Sequence, residues 1–294
     1  MPTRWLAYAH HVVGYEFYMR DDLETARAAL QESLSTGDVY AIRLLRMTDA
    51  ELEVRRTGTR SRSAHFAYEL PRRRPPECAE ALREFAEDAY TTVERTLDFR
   101  PKLPVLVTIL SGLEVLEYTS SPFGYYVPKH ELHKICLPIE PRRWRRNFQM
   151  GVMHEYTHAA VRELAGEGAP SWLNEGLAVL MAREAPGARG LLREAQGTDV
   201  PWMSLGDVEG FFTDAERDLY GAESSVAYAE AYSAVRFLVD RYGSKALREL
   251  LECLGRGMPL TWAMRRACGV WPRTFERHWR EAAEADETLL AWAL

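Results

Sequence analysis

The 294-residue sequence lacks several features that would assign it to a familiar class. It has only four cysteines, and no two of them form a C-x-x-C pair, so neither a disulfide framework nor a thiolate metal site is indicated. It contains no apolar run of about 18 residues, so no membrane-spanning helix is predicted. Its net charge of −6 includes no basic excess that would favour nucleic acid as a partner.

The first residues also lack the long apolar core of a signal peptide, because His10, His11 and Glu16 interrupt any candidate. We therefore expect a cytoplasmic protein with free thiols and with neither a membrane nor a nucleic-acid partner. The hydrophobic content of 47% is ordinary for a globular protein. The length is sufficient for one large domain or two smaller ones.

The stretch of greatest chemical interest covers residues 154–158, whose sequence His-Glu-Tyr-Thr-His has the pattern H-E-x-x-H. No residue between Gly151 and Leu164 opposes a helix, and on a helix His154 and His158 lie one turn apart on the same face. Two imidazoles so placed can bind one tetrahedral Zn²⁺, with Glu155 beside them as general base toward a water. The pattern therefore predicts a zinc helix.

A third protein ligand is available in Trp172-Leu-Asn-Glu-Gly176, which supplies the carboxylate of Glu175 in another helix-compatible run. Two histidines and one glutamate leave the fourth position of the ion open for water, which is the arrangement of catalytic zinc sites. A short H-E-x-x-H pattern also occurs by chance on solvated helices. In that case the protein would be a helical protein that binds no stoichiometric zinc.

These two stretches together resemble the gluzincin metallopeptidases, and in particular the bacterial peptidase MA-like domains. Residues 152–158 look like the gluzincin zinc helix, residues 172–176 look like the glutamate helix, and the likeness extends loosely from about residue 64 to the C-terminus. The resemblance implies an α+β, thermolysin-like fold, in which a small sheet with an exposed edge strand packs on the zinc helix and a mostly helical half follows. It also implies zinc-dependent hydrolysis of peptide bonds, with Zn²⁺ bound by three residues: His154, His158 and Glu175.

The oxyanion that forms during amide hydrolysis needs a hydrogen-bond donor besides zinc. Some gluzincins use a distal histidine, but no histidine occurs between His158 and His278. Tyr228 resembles the catalytic tyrosine of the aminopeptidase branch, and Tyr232, one turn further along, is the alternative. A G-A-M-E-N-like stretch, which grips the free α-amine of the substrate in that branch, is missing. We therefore predict an endopeptidase and not an aminopeptidase.

Ligating histidines are usually oriented by a hydrogen bond from their second ring nitrogen. Some gluzincins place an aspartate one turn after the ligand glutamate, but the residue here is Val179. Glu163, Glu167 and Asp207 are the alternatives, and the sequence does not choose among them.

Short apolar runs before the zinc helix predict four strands, at residues 64–70, 105–110, 124–128 and 134–139. Pro138 either confines the last strand to a sheet edge or marks its end. By the resemblance, residues 132–138 form the exposed edge strand along which an extended peptide or protein substrate lies. The alternative is an ordinary strand end without a ligand.

Residues 4–55 are predicted to be helical, and the segment from Gly14 to Leu30 looks like a single tetratricopeptide hairpin. One hairpin cannot stack into a solenoid, so we expect a helical cap, with a protein-binding role for residues 4–55 as the alternative. The predicted domains are therefore a cap at 1–60 and a catalytic domain at 61–294. The catalytic domain is divided into the sheet with the zinc helix (61–165) and the glutamate helix with the helical half (166–294).

The sequence therefore predicts a zinc endopeptidase. The first alternative is a catalytically degenerate zinc-binding domain that acts as an interaction scaffold through its N-terminal helices. The second is the helical protein with a chance motif. A measurement of bound metal distinguishes the helical protein with a chance motif from the two zinc-binding hypotheses. Turnover of a peptide then distinguishes the endopeptidase from the inactive scaffold.

Overall fold

The computed structural model describes residues 2–110, 124–139, 144–183, 203–213 and 222–285. The chain forms two compact units. The first comprises Met1–Asp88 with Lys102–Val152, and the second comprises Ala89–Pro101 with Met153–Leu294. The predicted domain boundary near residue 60 stays a prediction.

Three helices open the first unit: α1 (Pro2–Met19), α2 (Leu23–Ser35) and α3 (Ala41–Thr57). α1 and α2 pack closely at Gly14, where an added Cβ would lie only 2.6 Å from Leu30 Cγ. Asp22 caps α2 by accepting a 3.2 Å hydrogen bond from the Thr25 amide. The helical prediction for residues 4–55 is confirmed, and the tetratricopeptide resemblance stays a prediction.

A five-stranded sheet belongs to the same unit and has the strand order β1-β2-β3-β5-β4. β2, β3 and β5 run parallel, and the two outer strands pair antiparallel with their neighbours. Helices combined with a small mixed sheet make the fold α+β, as predicted. The strands are β1 (Thr59–Arg62), β2 (Phe66–Leu70), β3 (Val105–Leu110), β4 (Tyr125–Pro128) and β5 (His133–Pro138).

β5 lies inside the sheet and not at its edge. Ile135 pairs with Val107 of β3 on one side and with Tyr126 of β4 on the other, and all six residues of β5 are buried. The prediction that residues 132–138 form an exposed edge strand is therefore wrong. The backbone of β5 already has hydrogen-bonded neighbours on both sides, so a peptide cannot add to it. Pro138 marks the end of the strand, which was the other possibility for this residue.

The remaining described helices are α4 (Cys78–Leu97), α5 (Trp144–Ala165), α6 (Ser171–Ala182), α7 (Leu205–Thr213), α8 (Ala222–Gly255), α9 (Leu260–Cys268) and α10 (Pro272–Ala285). The long helix α8 is interrupted at Gly243, which has a φ of +85°. The sequence predicts a helix end at this glycine, because glycine adopts positive φ without steric cost. Within the described part of the chain, every helix is too short or too polar to cross a bilayer.

α8 supports two other helices of the second unit through backbone contacts at glycines. α6 crosses α8 at Gly176, where an added Cβ would lie 2.6 Å from the carbonyl carbon of Ala231. The end of α5 meets the end of α8 at Gly255, where an added Cβ would collide with the carbonyl oxygen of Leu164. Only glycine permits such close approach of two backbones. α5 and α6 therefore both pack directly on α8.

All four cysteines, Cys78, Cys136, Cys253 and Cys268, are free and buried. Burial raises the pKa of Cys78 and of Cys268 to about 11. Burial also raises the pKa of Cys136 well above its ordinary value. The prediction of free thiols is confirmed.

Candidate metal centre

α5 brings the two histidines of the H-E-x-x-H pattern together. The ring centroids of His154 and His158 are 4.8 Å apart, and the rings are inclined at 78°. Both side chains are buried, with 8% and 7% of their surfaces exposed. The pattern therefore does not lie on a solvated helical face, which is where a chance occurrence would be expected.

α6 adds the carboxylate of Glu175 to this pair. Its Oε2 lies 3.6 Å from His154 Nε2, and its Oε1 lies 3.8 Å from His158 Nε2. The ligand atoms of all three residues lie within 4.8 Å of one another. Two donors bonded to one tetrahedral zinc ion are about 3.4 Å apart. The two separations from Glu175, 3.6 and 3.8 Å, are close to this value, so the donor set suits a single divalent ion.

The charge state of Glu175 suits a metal ligand. Burial raises the pKa of this carboxyl, but the neighbouring His158 and His154 lower it by more, so its pKa lies below the ordinary value. The side chain is therefore a carboxylate at neutral pH. Metal binding requires this deprotonated form.

Asn174 orients His158. The amide oxygen Oδ1 of Asn174 lies 2.9 Å from His158 Nδ1 and accepts its hydrogen bond. An amide oxygen can only accept, so the proton resides on Nδ1 and the lone pair of Nε2 is available to a metal. This is the role that a supporting carboxylate usually has at such a histidine.

Two of the three acidic residues considered for that role have other partners in the structure, and the role of Glu163 stays a prediction. Glu167 forms an ion pair with Arg162, and Asp207 accepts a 2.6 Å hydrogen bond from Ser204 at the start of α7. The sequence does not single out Asn174, because the residue that orients a ligating histidine is most often a carboxylate. Its position directly before the ligand glutamate was the available signal.

Glu209 of α7 anchors the start of the glutamate helix. Its two carboxylate oxygens accept 3.1 Å hydrogen bonds from Ser171 Oγ and from the Trp172 amide. The N-cap residue, Pro170, offers no side-chain hydrogen bond, so Glu209 satisfies an amide that would otherwise lack a partner. A negative charge at a helix N-terminus is also favourable. No local sequence pattern predicts this contact.

The other predicted site residues have distinct surroundings. Glu155 follows His154 on α5 and is buried, with 3% of its surface exposed. Tyr228 on α8 is half-buried, and its ring meets that of Phe212 edge-on with centroids 4.9 Å apart. Tyr232 is only 1% exposed. Burial raises the pKa of Tyr232 despite the opposing influence of Arg236. The catalytic roles of Glu155 and the tyrosines stay predictions.

A buried H-E-x-x-H helix with a converging carboxylate from a later helix is typical of metal-dependent hydrolases. The comparison with protein families agrees, because residues 124–285, more than half of the chain, match the model of the Peptidase MA superfamily. The chain belongs to the Peptidase MA superfamily. A comparison with curated proteins finds no match. Membership indicates metallopeptidase-type hydrolysis, which is typically metal-dependent, and the three converging residues lie inside the matched range.

Proposed function

We propose that this protein hydrolyses internal peptide bonds, with Zn²⁺ held by His154, His158 and Glu175. The observation that supports the proposal is the convergence of two imidazoles and one carboxylate within 4.8 Å. Such a donor set leaves one position of a tetrahedral ion open, as in catalytic sites. When bound, zinc supplies Lewis-acid polarisation of the scissile carbonyl and lowers the pKa of a water molecule.

Glu155 is the general base in this proposal. It removes a proton from the attacking water and later transfers it to the leaving amine, because an amine leaves readily only when protonated. Its position directly after His154 and its burial support this role. A carboxylate removed from bulk water interacts more strongly with the developing charge.

We assign the oxyanion donor to Tyr228 and keep Tyr232 as the alternative. Tyr228 is half-buried and retains access to solvent, whereas Tyr232 is 1% exposed and lies beside Arg236. In the mechanism the Tyr228 hydroxyl donates to the developing oxyanion. We expect Tyr228→Phe to lower kcat by about 100-fold or more and Tyr232→Phe to lower it far less.

The proposed substrate is a peptide or protein that is cleaved internally. The sequence has no stretch that resembles an α-amine grip, which supports an endopeptidase over an aminopeptidase. Strand addition to residues 132–138 is not part of the proposal, because β5 is paired on both sides.

The second candidate is a catalytically inactive zinc-binding domain that binds a protein partner through residues 4–55. One observation favours it. α1 exposes three aromatic side chains, Trp5, Tyr8 and Tyr15, with 76%, 63% and 51% of their surfaces accessible. Exposed aromatic side chains are frequent at protein interfaces.

The test combines metal analysis with turnover of a quenched fluorescent peptide library. We expect about one zinc per chain, loss of turnover with a chelator, and a loss of about 100-fold or more in kcat for Glu155→Gln with zinc retained. Glu167→Gln is the matched control, because this residue is 84% exposed and lies outside the H-E-x-x-H pattern. Stoichiometric zinc without turnover in the wild type would favour the scaffold, and equal turnover by wild type and Glu155→Gln would refute the role of Glu155.

A further inference from the structure

The first unit contains a cavity of about 550 Å³ that shares no residue with the metal centre. It lies where the turn after α1 and helix α3 face strands β1, β2 and β3. Its charged lining residues are two carboxylates and three guanidinium groups, from Asp21, Glu69, Arg55, Arg60 and Arg62. Specific sites for small molecules have volumes of about 300–1,000 Å³.

The carboxylate of Glu69 accepts from three donors of the protein. Its Oε1 lies 3.0 Å from Arg55 Nε and 3.1 Å from Arg60 Nη2. Its Oε2 accepts a 3.3 Å hydrogen bond from Thr108 Oγ1. Most of the acceptor capacity of Glu69 is therefore used by donors of the protein.

Asp21 is neutralised in the same way. Its Oδ2 accepts a 2.6 Å hydrogen bond from Arg55 Nη2, and its Oδ1 accepts a 2.9 Å hydrogen bond from Lys134 Nζ. The three guanidinium groups outnumber the two carboxylates among the lining residues, so the cavity carries one net positive charge.

Three hydrogen bonds hold Arg55 in place in the lining of the cavity. It donates from Nε to Glu69 at 3.0 Å, from Nη1 to the carbonyl of Asp21 at 2.9 Å, and from Nη2 to the carboxylate of Asp21. A cation fixed by three contacts needs no rearrangement when an anion arrives. Such preorganisation favours binding.

Arg60 and Arg62 are two residues apart on the edge strand β1, so their side chains project from the same face about 7 Å apart. Arg60 faces Glu69 across the strand pair, whereas Arg62 faces the small side chain of Ala67. Among the residues that the structure describes, none forms a hydrogen bond or an ion pair with Arg62. Ala67, which lines the same cavity, carries only a methyl group opposite Arg62.

We propose that this cavity binds a small ligand through a phosphate or carboxylate group held by Arg62 and Arg60. The planar guanidinium fork matches the geometry of both oxyanions and binds them with paired hydrogen bonds. Arg55 contributes a fixed positive charge behind the anion. This binding site is independent of the proposed hydrolysis.

Calorimetric titration of the full-length protein with inorganic phosphate and with citrate, at constant ionic strength, tests the proposal. We expect saturable binding of at least one of these anions, weakened about 10-fold or more by Arg62→Ala and also weakened by Arg60→Ala. Both arginines are exposed, so their replacement should leave the fold intact. Arg73→Ala is the matched control, because Arg73 is an exposed arginine of the same unit outside the cavity.

Binding of phosphate alone or of citrate alone would support the proposal and identify the preferred group. The proposal would be overturned if neither anion bound saturably. It would also be overturned if binding survived Arg62→Ala, as expected for an anion bound at the metal centre, or if Arg73→Ala weakened binding equally, as expected for a nonspecific ionic effect.

Discussion

Asn174 and Glu175 are neighbours in the chain, but they act on different atoms of the metal centre. Glu175 offers oxygen atoms to the ion, whereas Asn174 fixes the proton of His158 on Nδ1. The motif residues could be predicted from the sequence because their spacing on a helix determines which donors converge. The contact between Asn174 and His158 could not, because it depends on how α5 and α6 are placed relative to each other.

Replacement of Asn174 by leucine should weaken zinc binding without removing a ligand. We expect the affinity to fall about 10–100-fold, because His158 loses the acceptor that holds its tautomer and ring orientation. Asn174→Asp, which keeps an acceptor at this position, should retain most of the affinity. Competition with a chromophoric zinc chelator measures the zinc affinity of both variants. Unchanged affinity in Asn174→Leu would show that the hydrogen bond has no orienting role.

Glu230 on α8 is a buried acid outside the metal centre, with 1% of its surface exposed. Its Oε1 accepts a 3.1 Å hydrogen bond from the Met203 amide. Burial raises its pKa to about 7, despite the opposing influence of Met203 and Arg280. A raised pKa means that the folded state favours the protonated acid. The stabilisation is complete below the unfolded-state value of 4.5 and is lost as pH rises through about 7.

Glu230→Gln should therefore stabilise the protein at about pH 8, by roughly 1–3 kcal/mol, and have little effect at about pH 4.5. The amide keeps an acceptor for Met203 and has no proton to lose. Thermal unfolding at both pH values measures the difference, with the exposed Glu281→Gln as control. An effect of equal size at both pH values would contradict the raised pKa.

At the scale of elements, α8 contributes no metal ligand but determines where the glutamate helix lies. Gly176 is a point of close contact, because an added Cβ would be 2.6 Å from the Ala231 carbonyl carbon and 2.8 Å from Val235 Cγ2. Gly176→Ala must therefore displace α6, and with it Glu175. We expect a loss of about 1–3 kcal/mol in the free energy of unfolding, together with weaker zinc binding.

Gly210→Ala is the control for this prediction. Gly210 lies within α7 and has no atom within 4 Å of the position of an added Cβ. Alanine favours the helix over glycine, so this variant should gain up to about 1 kcal/mol. Urea denaturation measures both variants. A Gly176→Ala protein as stable as Gly210→Ala would show that the helix crossing tolerates a side chain.

The helices and their ends could largely be predicted, because apolar periodicity and glycine or proline breaks are local signals. The helix end predicted at Gly243 and the strand over residues 105–110 are examples that the structure confirms. The sheet was less predictable. β1 was missed because Thr59–Arg62 contains no apolar residue. The interior position of β5 was missed because strand order is a property of tertiary packing.

At the scale of the whole molecule, the first unit joins its helices to its sheet through buried charges. Lys134 Nζ lies 2.5 Å from Glu51 Oε2 and 2.9 Å from Asp21 Oδ1, and Glu51 is fully buried. Burial raises the pKa of both carboxyls, but Lys134 and the other nearby cations lower it by more. Their stabilisation is therefore present above the ordinary values of 4.5 and 3.8 and is lost as pH falls below them.

Together with Glu230, whose stabilisation is complete only below about pH 4.5, these groups predict that stability is highest near pH 4.5 and falls toward both lower and higher pH. Glu51→Gln should make the free energy of unfolding less dependent on pH in the acid range. It should also lower the free energy of unfolding at neutral pH by about 3–5 kcal/mol, because Lys134 loses its buried partner. The exposed Glu53→Gln on the same helix is the control. A melting temperature that stays constant from about pH 6 to 3 would contradict the prediction.

The enclosed cysteines have a practical consequence. Sulfhydryl reagents attack thiolates that they can reach, and the four native side chains are shielded, with the pKa of three of them raised. A cysteine introduced at Tyr40, where 82% of the surface is exposed, would be the preferred attachment point for a fluorophore or spin probe. Motions of the chain could then be followed spectroscopically without first replacing any of the native cysteines.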